Sequence, residues 1–332
     1  MATVGNTYLT LADAYRMQGP LKGKARIIEM LAQFNPAVQD ANVVECNMGE
    51  EHFTSIRTGL PEPTWRKLYQ GVQPTKGTTA EVKDSTGMAE DWSEVDAKLV
   101  DKQKNPAVFR LNEAKSHLMG MSNTVEEYIW YGDQSTNPQA FTGLTPRFNS
   151  LSAGSGSQII DAGGTGSDNM SIWFVTWGDE HVHLLYPEGS VAGVQREDKG
   201  MQTKENADGS LYDVYREKFT WDVGLTCRDY RGVARVCNID VSELNRDPED
   251  GGAYIADKMI DAYYTLQNPG MTGGKTFVYC NKTAAKFLHK QALTDKNVNL
   301  TLQDVNGMPV VKFLGHDIHR ADSLLETEAR VV

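Results

Sequence analysis

The sequence LNEAKSHLMGMSNTVEEYIWY, residues 111–131, decides the fold. Its apolar residues recur three, four or seven positions apart, which places them on one face of an α-helix. That stripe consists of Leu111, Ala114, Leu118, Met121, Val125, Tyr128 and Tyr131. We predict a helix of about 20 residues, roughly 30 Å long, that ends at Gly132-Asp133. A helix of this length is long for a globular domain.

The segment before this helix is unusually polar. From Gln70 to Asp91 the apolar residues are Val72, Ala80, Val82, Met88 and Ala89. We predict a long β-hairpin or loop without a core of its own, which becomes ordered by lying on another surface. The alternation just upstream, where Trp65, Lys67 and Tyr69 face one way, predicts an extended strand.

The segment after the helix predicts a β-ribbon. Residues 171–177 and 181–187 are apolar strands that we expect to pair as a hairpin. A period-two pattern then runs from Tyr215 to Cys227, and a turn at 229–232 predicts a return strand. This arrangement would place Cys227 opposite Cys237, as two core thiols rather than a disulfide.

The two ends of the chain differ in character. Near the N-terminus we predict short helices at 10–17 and 24–34, which are too small to form a core. The last third alternates between helix and strand. It predicts helices at 254–266 and 283–293, a buried strand at 276–280, and two short strands around Val310-Val311 and Ile318.

Composition argues against several classes of protein. The net charge of −11 argues against a dedicated nucleic-acid binder, which carries a basic excess. No run of about 18 apolar residues is present, so we expect no membrane span. The four cysteines form no CxxC pair, and we expect them to be buried and reduced. The opening MATVGNTYLT lacks the cationic start and apolar run of a secretory signal, so we expect none.

Motifs for chemistry are weak. Gly273-Gly274-Lys275-Thr276 is similar to a phosphate-binding loop, but Pro269 stands where the first glycine is needed, and the order of helix and strand is reversed. His181 and His183 share one face of a strand, as metal ligands can, but no third ligand is near in sequence. We expect no catalytic residue, cofactor or metal. A metal-dependent hydrolase using the two histidines is the weakest alternative.

The most informative features of the sequence are therefore its structural segments. An N-terminal arm, a hairpin without a core, a long helix and a long ribbon each carry surfaces that need partners outside the subunit. This combination predicts a protein whose function is assembly.

Several stretches together resemble a tailed-bacteriophage major capsid protein of the Hong Kong-97-type fold, in its short-tailed phage (podovirus) form. The likeness covers most of the chain. Residues 63–96 look like the family's extended E-loop, and residues 112–133 look like its long spine helix. Residues 138–148 resemble the segment that follows. Residues 276–292 and 307–329 resemble pieces of the axial domain.

The resemblance implies an α+β fold with four parts. These are an N-terminal arm at 1–52, an E-loop hairpin at 53–95, a peripheral (P) domain at 96–244 and an axial (A) domain at 245–332. The P-domain would hold the spine helix, about 111–131, and a β-ribbon at about 171–240. Because the ribbon precedes the axial pieces, the resemblance implies a permuted connectivity on the same architecture.

The resemblance also implies a function and partners. Hexamers and pentamers would form an icosahedral head around double-stranded DNA, contacted without sequence specificity, in a virion made in the host bacterial cytoplasm. A portal protein, a separate scaffolding protein and a decoration or cement protein are the implied partners. The family's Lys-Asn cross-link has no match here and is not carried over. A bacterial nanocompartment shell of encapsulin type is the alternative.

Ten residues are the candidate contact and support positions. The E-loop candidates for inter-subunit contact are Trp65, Tyr69, Val72, Val82, Met88 and Trp92. The spine-helix candidates are Leu111, Leu118, Met121 and Val125.

Overall fold

The computed structural model describes residues 35–244, 254–267, 274–292, 300–305 and 308–332. The helices predicted at 10–17 and 24–34 lie outside the described residues. The helices are α1 Pro36–Asp40, α2 Ala97–Asp101, α3 Pro106–Tyr131, α4 Ile255–Thr265 and α5 Lys282–Ala292. The strands are β1 Val43–Glu45, β2 Glu51–Gly59, β3 Thr78–Asp96, β4 Ile159–Asp161, β5 Asn169–Trp177, β6 Val182–Tyr186, β7 Gln195–Glu205, β8 Leu211–Cys227, β9 Val233–Asp240, β10 Lys275–Cys280, β11 Leu300–Val305, β12 Met308–Phe313 and β13 His316–Arg320.

The described chain divides into two compact units. The first comprises 88–125 and 193–222, and the second comprises 35–87, 126–192 and the described residues from 223 onward. These units cut the chain differently from the four predicted segments, which stay a prediction.

The long helix α3 is confirmed and begins earlier than predicted. It starts at Pro106, where a fixed backbone angle and a missing N–H suit the first helical position. The side-chain oxygen of Asn105 accepts a hydrogen bond from the Val108 N–H at 3.4 Å, which caps the helix. The helix ends at a close approach, since a Cβ at Gly132 would lie 2.6 Å from the carbonyl oxygen of Phe141.

The sheet of the second unit is centred on β5, all nine residues of which are buried. It pairs antiparallel with β9 on one edge and with β10 on the other. Strand β10 pairs parallel with β13, and β9 pairs parallel with β4. A strand buried on both faces needs a partner along each edge, and β5 takes both from distant parts of the chain.

Two predicted pairings are therefore wrong. Strands β5 and β6 share only the pair Trp177–Val182, which is parallel, so they form no hairpin. Strand β6 instead pairs antiparallel with β8, which puts Cys227 opposite Val182. Because β9 pairs with β4 and β5, Cys237 lies opposite Asp161 rather than Cys227. The residues from 171 to 240 thus belong to several pairings and not to one ribbon.

The four cysteines are free and buried, as expected. Burial raises the pKa of the Cys46 and Cys237 thiols to about 11, and that of Cys227 and Cys280 to about 12.

Both faces of β5 are covered. On one face Met170, Ile172 and Phe174 join an apolar core with helices α4 and α5. On the other face the rings of Trp130 and Phe148 each lie 6.0 Å from that of Trp173. The predicted helices at 254–266 and 283–293 are confirmed to within one residue at each end.

The first unit contains a long hairpin packed on the N-terminal part of α3. Strand β7 pairs with β8 from Gln195–Thr220 to Glu205–Leu211. Alternate β8 side chains meet the helix: Glu217 accepts a hydrogen bond from Arg110 at 2.6 Å, and Phe219 stacks on His117 with 5.6 Å between ring centroids. Val95, Leu99 and Val100 form a small apolar cluster beside them.

Candidate assembly surfaces

The β2–β3 hairpin carries the most exposed part of the second unit. Its ladder runs from the pair Glu51–Ser85 to the pair Gly59–Thr78. Residues 60–77 connect the strands, and every residue from 60 to 81 is exposed. We call residues 60–77 the arm loop. The chain does form a hairpin here, but its strands span residues 51–96, slightly beyond the predicted 53–95, and residues 78–96 are one continuous strand. The assignment of this hairpin as an E-loop stays a prediction.

The strand predicted through Trp65 and Tyr69 is wrong. The chain turns there: the Gln70 N–H donates to the Lys67 carbonyl at 3.2 Å, and Tyr69 takes a positive φ of 65°. An extended segment needs a neighbouring strand for its backbone groups, and none of the described strands pairs with this one.

The arm loop exposes large apolar side chains. Trp65 is 99% exposed, Tyr69 is 100% exposed and Leu68 is 87% exposed. Val72 is also exposed, and Val82 on β3 is half-buried. A Trp or Tyr side chain removes roughly 150–250 Å² of surface from water when it is buried. In the isolated subunit most of this apolar surface of the loop stays in contact with water.

The base of the hairpin is fixed by a buried ion pair. The Asp84 carboxylate accepts hydrogen bonds from Arg147 Nη2 at 2.8 Å and from Thr226 Oγ1 at 2.5 Å. Arg147 also donates to the carbonyl oxygens of Gly143, Thr142 and Leu225, at 3.2, 3.1 and 3.1 Å respectively. The guanidinium therefore ties β3 both to β8 and to the segment after the spine helix.

Close backbone packing reinforces this base. A Cβ at Gly87 would lie 3.0 Å from the Ala140 Cα, and one at Gly224 would lie 2.9 Å from the Ser85 carbonyl oxygen. Asn47 clamps β2, because its side-chain amide donates to the Phe53 carbonyl at 2.8 Å and accepts from the Phe53 N–H at 2.9 Å. An exposed loop thus extends from a well-packed base.

The outer half of β3 forms a second surface, in the first unit. Met88 is 74% exposed, whereas Trp92 is 40% exposed and has partners in its own chain. The indole Nε1–H of Trp92 donates to the Glu90 carboxylate at 2.6 Å, and Lys218 Nζ lies 5.5 Å from the ring centroid. Met201 and Leu211, on the β7–β8 hairpin, are 60% and 68% exposed.

The spine-helix candidates are split by burial. Met121 and Val125 are buried inside the subunit and Leu118 is half-buried, so these side chains hold the subunit together. Leu111, which the stripe predicts to be internal, is 45% exposed, as is its neighbour Val108 at 48%. Both residues lie on one side of the helix, near its start, that stays partly in water, whereas Phe109 packs against the small cluster of Val95, Leu99 and Val100.

Sequence reasoning missed a polar network at the end of the spine helix. Glu126 is fully buried, and its carboxylate accepts from the backbone N–H groups of Ala37 at 3.3 Å and Val38 at 3.0 Å. Burial raises the pKa of Glu126 to about 7. Nearby, Asp40 accepts from Tyr279 at 2.8 Å, and its carboxylate lies 2.5 Å from His319 Nδ1. The apolar stripe gave no signal for it, because Glu126 stands beside the stripe, one residue after Val125.

A second missed pair holds the C-terminal tail. Arg235 is 1% exposed and donates to Glu328 at 2.8 Å, to Ser171 at 3.0 Å and to the Phe148 carbonyl at 2.7 Å. Tyr131, at the end of α3, donates to the other Glu328 oxygen at 2.5 Å. These bonds join the helix, the sheet and the tail.

The histidines do not form a metal centre. His183 is 2% exposed, burial lowers the pKa of its ring, and its ring centroid lies 5.8 Å from that of His52. In the described part of the chain, no group of three or more His, Cys, Asp or Glu residues is arranged to hold a metal. Within the same residues, no helix combines the length and apolar character needed to cross a membrane.

Exposed aromatic residues on an arm loop, together with a long helix, are typical of one class of protein: subunits of larger assemblies. The comparisons identify the family. The model of the family Major capsid protein GP7 matches residues 20–332, and the chain belongs to that family. It is a major capsid protein of a tailed bacteriophage, it assembles with copies of itself, and its place is the capsid of the virion.

Three solved structures illustrate the likeness. A chain in the near-atomic-resolution structure of bacteriophage Epsilon15 is 43% identical, with 100% of this chain and 99% of that chain covered and a TM-score of 0.76. The capsid of a native GTA particle is 9% identical over 65% of this chain and 94% of that chain, with a TM-score of 0.46. The holo-SrpI encapsulin complex of Synechococcus elongatus is 9% identical over 69% of this chain and 96% of that chain, with a TM-score of 0.47.

The last two likenesses are too distant to bear on function. None of the curated proteins matches the chain. The resemblance noted in the sequence and the α+β Hong Kong-97-type capsid fold are confirmed, and a capsid role follows from the family rather than from the encapsulin likeness.

Proposed function

We propose that this chain forms the hexamers and pentamers of an icosahedral phage head around double-stranded DNA, and that the arm loop is a principal contact to a neighbouring subunit. The full exposure of Trp65 and Tyr69 carries the proposal. Subunit interfaces are enriched in aromatic residues that become buried on association, and these two rings have no cover in their own subunit.

The rigid base supports this role. Because Asp84 and Arg147 fix where the hairpin leaves the sheet, the loop can reach a neighbour without first ordering its base. Ordering costs about 1–2 kcal/mol for each backbone residue that must be fixed, so a preformed hairpin lowers the free-energy cost of assembly.

The partners follow from the same role. We propose a portal protein, a separate scaffolding protein, a decoration or cement protein and non-specific contact with the packaged DNA, with synthesis in the host bacterial cytoplasm. The family defines the chain as a structural capsid protein, and we propose that it catalyses no reaction. The net charge of −11 suits a container that does not grip its DNA tightly.

The test removes the arm loop and leaves the base intact. Asn-Gly in place of residues 60–77 would connect Gly59 to Thr78, which already face each other in the ladder, through a two-residue turn that hairpins favour. A deletion of 72–90 would be less clean, because it also removes the buried Asp84.

We expect the shortened chain to keep the circular dichroism spectrum and melting temperature of the wild type, and to form no shells in negative-stain images. The matched control is Trp65→Phe with Tyr69→Phe, which keeps an aromatic ring at each position and should assemble. Shells of normal size and yield from the shortened chain would overturn the role given to the loop.

A further inference from the structure

Helices α4 and α5 carry complementary charge on their outer faces. Both pack on the same face of the sheet, through residues such as Met259 and Leu288. Facing away from that core, α4 exposes Asp257 and Asp261, and α5 exposes Lys282, Lys286 and Lys290. A spacing of four residues puts each set in one row along its helix.

The lysine row is unfavourable within its own helix. Like charges four residues apart destabilise a helix, and Lys282 stands in the first turn, where the helix dipole disfavours a cation. The sequence of α5, KTAAKFLHKQA, contains no acidic residue to offset them. The ammonium groups of Lys286 and Lys290 lie 5.1 and 4.8 Å from the Phe287 ring centroid, which holds both on one side of the helix.

The acidic row is also exposed, although Asp257 lies in the first turn of α4, where the helix dipole favours an acid. Asp257 and Asp261 are both exposed, and Tyr264 follows them at 77% exposure on the same side. Among the residues that the structure describes, neither row forms an ion pair, although α4 and α5 are neighbours in the same unit. Each row therefore presents unpaired charge and, on α4, an exposed aromatic ring.

From this complementarity we propose that the acidic row of α4 binds the lysine row of α5 in a second copy of this chain. Every copy carries both rows, so one kind of contact can join each subunit to the next and close a ring. The proposal rests on the proposed shell function. A polyanion such as DNA fits less well, because it would meet the α4 acids on the same side of the sheet.

The test exchanges the charges. One variant carries Lys286→Glu and Lys290→Glu, a second carries Asp257→Lys and Asp261→Lys, and a third combines all four changes. Shell formation from purified subunits is followed by light scattering and negative-stain microscopy. The control, Lys286→Arg with Lys290→Arg, keeps the charge and should behave as wild type.

We expect each separate reversal to raise the concentration needed for shells at least tenfold, and the combined variant to return close to wild type, because its rows are exchanged in every copy. Separate reversals that assemble normally overturn the contact. The contact is also overturned if the combined variant assembles no better than the lysine reversal alone. In that case, loss of DNA binding in a gel-shift assay would identify the lysine row as a DNA-binding face.

Two further outcomes bear on the contact between the two rows. Failure of the wild-type chain to form shells overturns the proposed function and this contact with it, whereas normal wild-type shells isolate the contact itself. Should a reversal unfold the subunit, neutral changes of Lys286 and Lys290 to Gln replace it. The wild-type assembly threshold should then rise with salt, and that of the neutral variant should rise less; equal salt dependence overturns the contact.

Discussion

At the scale of single residues, Glu126 is the most unusual group in the described chain. It stands beside the apolar stripe of the spine helix, yet it is fully buried and bound to the N–H groups that begin α1. A buried carboxylate favours its neutral form, since the low-dielectric interior solvates charge poorly. The nearby Asp40 raises the pKa of Glu126 in the same direction.

Glu126 makes stability depend on pH. Its folded-state pKa of about 7 lies above the ordinary value of 4.5, so its favourable contribution is complete below pH 4.5 and is lost as the pH rises through 7. We expect wild-type stability to fall by about 2.5 kcal/mol more than that of Glu126→Gln between pH 5 and pH 8. Urea unfolding at both pH values measures the difference. An equal fall in the free energy of unfolding of the two proteins would contradict the prediction.

At the scale of elements, the hairpin and its base behave differently. The arm loop makes few contacts in its own chain, whereas the base depends on the buried pair of Asp84 and Arg147. A buried ion pair is costly to break on one side, because the remaining charge stays out of water without a partner. The base should therefore be sensitive to single substitutions to which the loop is insensitive.

Arg147→Met tests this sensitivity. It leaves the Asp84 charge buried and should destabilise the subunit by about 3–5 kcal/mol. Adding Asp84→Asn removes that charge and should recover part of the loss. Denaturant unfolding of the two variants and of the wild type shows how much of the lost free energy of unfolding the second change recovers. No recovery in the double variant would show that Arg147 acts mainly through the three carbonyl oxygens that it also binds.

The elements also show what the sequence could predict. Helices α4 and α5 were predicted to within a residue, because apolar spacing is a local property of the chain. The partners of β5 and β8 were not, since register depends on surfaces contributed by segments far away in sequence. Leu111 fits the stripe but is exposed, and Glu126 lies outside it but is buried, so periodicity alone could not assign either role.

At the scale of the whole molecule, we expect folding and assembly to use different side chains. The buried aromatic residues around Trp173 stabilise the subunit, whereas Trp65 and Tyr69 contribute nothing to its core. Family membership was recognisable from the joint occurrence of several loose motifs, but the complementary rows on α4 and α5 needed the structure, which shows that both helices cover the same face.

The double variant Trp65→Ala with Tyr69→Ala should separate the effect on assembly from the effect on folding. We expect an unchanged melting temperature, because both side chains are already in water. The concentration needed for shell formation should rise by at least about 30-fold, which corresponds to losing one hot spot of roughly 2 kcal/mol at each contact. Light scattering across a dilution series measures this threshold. A large drop in melting temperature would show that the rings stabilise the subunit itself.

The positions of the cysteines have a practical consequence. All four thiols are buried, and the raised pKa of each keeps it in the unreactive protonated form at neutral pH. Maleimide reagents should therefore find little to react with on the native subunit. A cysteine introduced at Gln70, in the exposed arm loop, would then be a single site for attaching a fluorophore or spin label. Such a probe would report directly on the moment at which one subunit covers the loop of the next.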